Sequence, residues 1–190
     1  MNTITNTKDQ TKSEFLLAAG LVVIAIATRL LFNAIHVYNF NAVIATAIFA
    51  GAYLNRSHYA LFVPLIAMIL TDAIIGFYDT PYMAVVYGSF ILAFVIGRFY
   101  SAKPSLLRYI IVTLGGSLAF FLITNFAWWP FYTTLYPHTI GGLIQSYTMA
   151  LPFYKNSLIS DLSFTAVLFG GFEMAKVFLP KEKKAALVSI

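Results

Sequence analysis

Hydrophobic and polar positions divide this chain into six apolar stretches, at 15–35, 38–54, 59–78, 82–100, 106–129 and 155–179, with most of the charges outside them, chiefly in the two end segments. An α-helix rises about 1.5 Å per residue, so about 20 apolar residues cross a hydrocarbon core ~30 Å thick. The pattern predicts an all-α fold, an integral membrane six-helix bundle over 14–179. The second stretch is at the short limit for a span, which predicts a helix that stands upright or is partly withdrawn from lipid. Residues 1–13 are polar and without period, and read as a disordered cytoplasmic tail. Residues 180–190 open on Pro180 and a lysine cluster, and read as a basic cytoplasmic tail resting on anionic lipid. Lys8, Asp9, Lys12 and Glu14 before the first stretch sum to zero charge. That stretch is longer than a signal-peptide core, so it reads as a retained helix.

Composition agrees. The 190 residues are 60% hydrophobic and 10% charged, with a mean hydropathy of +0.81. A soluble domain carries about 25% charged residues, so lipid is the expected solvent. The net charge of +5 comes from loops and tails, the placement membrane insertion favours over nucleic-acid binding. With the amino terminus inside, ten basic residues, among them Arg56, Arg98, Lys103, Arg108 and Lys176, fall on the cytoplasmic side, against Arg29 and Lys155 outside. The apolar segment 139–152 offers a seventh span, but that would move Lys176 and the 181–184 cluster outside and leave the basic residues nearly evenly split. The positive-inside rule selects six spans with both ends inside. Segment 139–152 then reads as an outer-face re-entrant or interfacial helix before the last span, held at membrane depth by protein around it.

Three ionisable residues interrupt the apolar stretches. Arg29 lies about 21 Å up the first helix, Asp72 about 20 Å up the third, and Asp161 about 9 Å below the outer end of the sixth. All three fall in one layer, about a third of the way in from outside. A charge facing lipid near the centre costs about 2.5–3.5 kcal/mol, so the three are expected to face the bundle interior. Two readings stand side by side. The layer is a binding or ion-coupling site, or it is an Arg–Asp clamp between helices. Asp72 and Asp161 are assigned to substrate binding and Arg29 to charge balance. One carboxylate is left over, to be met by a proton, a cation or a cationic ligand group.

Polar and aromatic residues gather on the same side. Asn39, Asn125 and Asn156 are candidate polar contacts, and Trp128, Trp129 and Tyr147 candidate stacking surface, although interfacial aromatic belts place Trp and Tyr there in any membrane protein. Helix two carries small residues at four-residue steps, Ala42, Thr46 and Ala50. Such a stripe lets another helix approach closely, either within the bundle or as a docking face for a partner subunit. At the inner end, Glu173 and Lys176 are spaced for a surface ion pair.

Several chemistries are missing. There is no cysteine, no phosphate-binding G-x-x-x-x-G-K-[ST] loop, no H-E-x-x-H and no G-x-S-x-G elbow. His36, His58 and His138 fall on different loops at opposite faces, so neither a metal site nor a cofactor is expected, and the chain does not read as an enzyme.

A set of landmarks carries a resemblance: Asn39-Phe40, Phe49-Ala50-Gly51-Ala52-Tyr53, Pro64-Leu65-x-Ala67-Met68-x-x-Thr71-Asp72, Thr124-Asn125-Phe126-x-x-Trp129, and Pro152-Phe153-x-x-Asn156 with Asp161. Together they resemble an uncharacterised family of small bacterial membrane proteins over about residues 29–173. That family in turn looks like the substrate-binding (S) components of energy-coupling-factor (ECF) transporters. The resemblance implies six helices in the bacterial cell membrane, with a vitamin-like ligand held near the outer face. It also implies partners that supply coupling and ATP hydrolysis, in keeping with the missing phosphate loop. The Ala-x-x-x-Ala contact such proteins carry on helix one is absent here, which moves the expected docking face to helix two.

The sequence therefore leads to a substrate-capture subunit of a micronutrient importer, its ligand a small molecule that the aromatic content suggests is itself aromatic, its surroundings the lipid bilayer. An autonomous ion-coupled carrier and a non-transporting scaffold or accessory subunit are the alternatives.

Overall fold

The computed structural model describes residues 2–54, 59–99, 105–131 and 135–178. Arg56, His58, Lys103 and the 180–190 tail lie outside the described residues. Within them the chain is all-α, with six helices: α1 (Asn2–Ala34), α2 (Val43–Tyr53), α3 (Phe62–Ile75), α4 (Thr80–Phe99), α5 (Leu106–Phe131) and α6 (Ile140–Phe178). Each expected stretch has become a helix.

Four of them, α1 over Thr11–Ala34, α4, α5 over Leu107–Pro130 and α6, are long and apolar enough to cross a membrane. They bury one stripe and turn the rest outward. On α1 the buried positions Glu14, Ala18, Leu21 and Ala25 recur every three to four residues, while Phe15, Leu16, Val23 and Leu31 are exposed. An outward face of that kind suits lipid rather than water.

The other two helices are short, at 11 and 14 residues. α2 is the centre of the fold. It packs against all five other helices, most extensively α4, and every residue from Val43 to Ala52 is buried. With neighbours on all sides it needs no polar face, which is why its sequence is apolar all round. The contact with α4 is backbone against backbone. A Cβ on Gly51 would overlap the Phe94 carbonyl oxygen, and one on Gly97 the Ile48 carbonyl oxygen. Below this, Phe49 packs against Phe169 and Phe172 with ring centroids 4.9 and 5.3 Å apart.

Three expectations change here. The residues expected as an irregular tail continue α1 back to Asn2, since no proline or glycine between positions 2 and 13 interrupts a helix. The separate helix expected at 139–152 does not exist as such. α6 runs unbroken for 39 residues with Pro152 inside it. A proline removes one N–H bond and crowds the carbonyl four residues back. Here that carbonyl belongs to Thr148, and both residues are exposed, so the helix continues past the defect. Its length, about 58 Å, is nearly twice a ~30 Å hydrocarbon core. The third change concerns the small-residue stripe. Ala42, Thr46 and Ala50 are each 0% exposed, so they serve internal packing and offer no docking face.

Candidate functional site

At the end of the bundle that carries the α1–α2 and α3–α4 connections lies a cavity of about 500 Å³, within the range typical of small-molecule sites. Helical periodicity builds its walls. α5 contributes Ser117, Phe121, Asn125 and Trp128, and α6 contributes Ser146, Ala150, Tyr154, Ser157 and Asp161. Both sets step by three or four residues and so project from one side of each helix. Tyr82, Val86 and Phe90 do the same on α4.

The α1–α2 connection closes one side with Tyr38 and Asn39. Asn39 has φ 60°, a conformation asparagine tolerates better than most residues. Polar ties hold this connection in place. Asn156 Nδ2 donates to the Tyr38 carbonyl at 3.2 Å, Ser160 Oγ donates to the Asn41 carbonyl at 3.1 Å, and the Ala42 amide donates to Thr28 Oγ1 at 3.1 Å.

The three ionisable residues separate into a pair and a single. Arg29 Nη2 meets Asp72 Oδ1 at 2.6 Å, and Arg29 Nη1 donates to Thr71 Oγ1. The second Asp72 oxygen accepts from the Tyr87 hydroxyl at 2.6 Å. Asp72 is 1% exposed and both its oxygens are used. α1, α3 and α4 are joined at this point. Asp161 is different. It is 2% exposed, lines the cavity, and its Oδ2 has no hydrogen-bond partner. Ser117, whose Oγ is also buried without a hydrogen-bond partner, lies beside it, and so does Tyr154.

Of the candidate site residues, Arg29, Asn39, Asn125, Trp128 and Asp161 line the cavity. Four other candidates do not. Asp72 is spent on Arg29 and Tyr87. Trp129 Nε1 donates to the Pro137 carbonyl at 2.9 Å and braces the segment before α6. Tyr147 donates its hydroxyl to the Leu122 carbonyl at 2.8 Å, fastening α6 to α5. Asn156 is occupied with the Tyr38 carbonyl. Each of these corrections has one cause: a polar group is already satisfied within the protein.

Sequence reasoning missed Ser117, Tyr82, Phe121 and Ser146 in the wall, and Tyr87 behind it. Ser117 and Phe121 on α5 and Ser146 on α6 carried a usable signal, the three-to-four-residue stepping along their own helices toward Asn125, Trp128 and Asp161, whereas Tyr82 on α4 carried none. Nor did Tyr87.

A family model matches residues 9–183. The chain belongs to DUF6580, a family of unknown function. No curated protein and no solved structure matches it. What this DUF6580 chain offers chemically is therefore read from its own geometry. An aromatic cavity carries amide and hydroxyl groups, a guanidinium already neutralised, and a buried carboxylate with one oxygen unsatisfied. Among the described residues no group of His, Asp and Glu is placed to hold a metal ion.

Proposed function

We propose that this protein captures a small molecule near the outer face of a bacterial cell membrane, as the substrate-binding subunit of an ECF-like micronutrient importer. One observation carries the reading: the cavity of about 500 Å³ lined by aromatic rings and a few convergent polar groups, the usual make-up of a ligand site. The basic residues, ten against two, support an orientation with both ends inside and the cavity outside. Six helices enter the membrane in this reading, α2 and α3 as short helices sheltered by the longer four. The absence of a phosphate loop from the sequence fits a subunit that relies on a coupling protein and ATPases for transport. α2 is buried, so a coupling partner would meet the outward faces of the longer helices instead.

A second reading has an observation of its own. The buried Asp161 carboxylate, in no ion pair among the described residues, is a group an autonomous ion-coupled carrier would use.

One experiment separates the two. Protein purified from its native membranes is extracted, and the retained small molecule is identified by mass spectrometry. Liposomes bearing the protein alone are then expected to bind that compound saturably without accumulating it. Accumulation driven by a sodium or proton gradient would overturn the capture reading in favour of the carrier. No retained compound and no saturable binding would leave a scaffold.

A further inference from the structure

We infer that the ligand of this cavity is an organic cation: a flat ring system of one or two rings bearing an ammonium or protonated ring N–H, which Asp161 receives. The inference rests on the capture reading and names the ligand class of that same site.

The argument is charge accounting at a buried wall. An ionised carboxylate removed from water is costly unless a counter-charge or hydrogen bonds meet it. Asp72 satisfies that condition within the protein, through Arg29 and Tyr87. Asp161 does not. Among the described residues it takes part in no ion pair, and its Oδ2 is buried without a hydrogen-bond partner in the cavity wall. Arg29, the basic residue in the wall, has its charge balanced by Asp72. The cavity thus presents a net negative charge, and that charge lies at Asp161.

Two neighbours narrow the ligand further. Ser117 Oγ is buried beside Asp161, so an N–H donor that reaches the carboxylate meets a second oxygen at the same place. Tyr154 stacks on Phe121 with centroids 4.4 Å apart, and both rings line the cavity. Aromatic faces attract cations and accept flat rings. A quaternary ammonium would meet the charge but leave both oxygens without a donor. The geometry therefore favours a cation that carries hydrogen.

The test uses matched probes on the full-length protein in detergent: 2-phenylethylammonium against 2-phenylethanol, and tryptammonium against tryptophol. Each pair differs in one ammonium-for-hydroxyl exchange. At least one ammonium probe is expected to bind saturably, about tenfold or more tighter than its alcohol. Asp161→Asn is expected to remove that preference and to melt no lower than the wild type, since it removes a buried uncompensated charge. A second measurement needs no variant. A hydrophobic carbodiimide should label Asp161, as mapped by peptide mass spectrometry, and the ammonium probe should block the labelling.

No saturable ammonium binding, equal binding within both pairs, a preference that survives Asp161→Asn, or labelling that the probe leaves unchanged would each overturn the inference. So would a melting-temperature rise with sodium chloride alone, lost in Asp161→Asn, because Asp161 would then serve an inorganic ion. The capture reading fails separately. Alcohols that bind as well as ammonium probes leave it standing, whereas gradient-driven accumulation of an ammonium probe by the protein alone removes it and keeps the cation.

Discussion

Arg29 and Asp72 are 43 positions apart in the chain and 2.6 Å apart in space, and that contact decides which of two buried aspartates is free. Asp72 is also held by Tyr87 from α4, so three helices share one carboxylate. Asp161, on α6, has no such support and is left facing the cavity.

Breaking the pair on one side should be far worse than replacing both members. Arg29→Met leaves Asp72 buried without its counter-charge, at a cost of about 3–5 kcal/mol. The double variant Arg29→Met/Asp72→Leu removes both charges, and should recover most of that loss because apolar replacements of buried pairs are often neutral. Thermal unfolding of the purified proteins in one detergent measures both. A single variant that melts like the wild type would mean the clamp contributes nothing.

The α2–α4 crossing predicts opposite effects for one chemical change at different glycines. Gly97→Ala and Gly51→Ala force a methyl group into the carbonyls of Ile48 and Phe94. Backbone cannot rotate aside as a side chain can. Overpacking of this kind costs about 1–3 kcal/mol, so both variants should melt well below the wild type. Gly88→Ala, on the same α4, meets open space and should be neutral or stabilising by up to about 1 kcal/mol. Equal melting of all three would refute the close crossing.

At the far end from the cavity, Tyr53 of α2 donates to Glu173 Oε1 at 2.5 Å, and Lys176 Nζ reaches the same oxygen at 3.0 Å. Tyr109 of α5 also donates to it, at 3.3 Å. Glu173 thereby joins three helices, a larger role than the surface pair its spacing with Lys176 suggested. Tyr53→Phe removes a hydrogen bond to a charged group, worth about 1.5–3 kcal/mol. Stability should fall while the affinity of the retained small molecule stays unchanged, as equilibrium binding on the folded fraction would show. A loss of affinity would mean that the two ends are coupled.

Much of this was legible in the sequence, because length and apolarity alone define helices in a membrane protein. All six helices were located, and the short second stretch already pointed to a sheltered helix. The same stretch misled about docking. Ala42, Thr46 and Ala50 allow close approach by any helix, and spacing does not say whose. Pro152 misled in another way, since a proline reads as a boundary where the chain has only a defect within α6. The Asp72–Tyr87 bond was not legible at all. It depends on how α3 and α4 are rotated about their axes, which neither sequence records locally. Trp128 and Trp129 show the limit most clearly. They are the same residue type side by side, yet neighbouring helical residues point about 100° apart, and only one of them lines the cavity.

That pair supplies an optical test. The chain has two tryptophans, so its indole emission comes from these positions alone. Trp128 lines the cavity with its ring 5.0 Å from that of Tyr82. Trp129 donates to the Pro137 carbonyl and rests against His138, with centroids 5.5 Å apart. Titration with the compound retained from native membranes should change the emission of the wild type and of Trp129→Phe alike. Trp128→Phe should lose that change and bind more weakly. Trp129→Phe should instead melt lower, by the about 0.5–1.5 kcal/mol of one ordinary hydrogen bond. If the ligand-dependent signal follows Trp129, the compound sits at the segment before α6, and the cavity wall drawn through Trp128 is not where it binds.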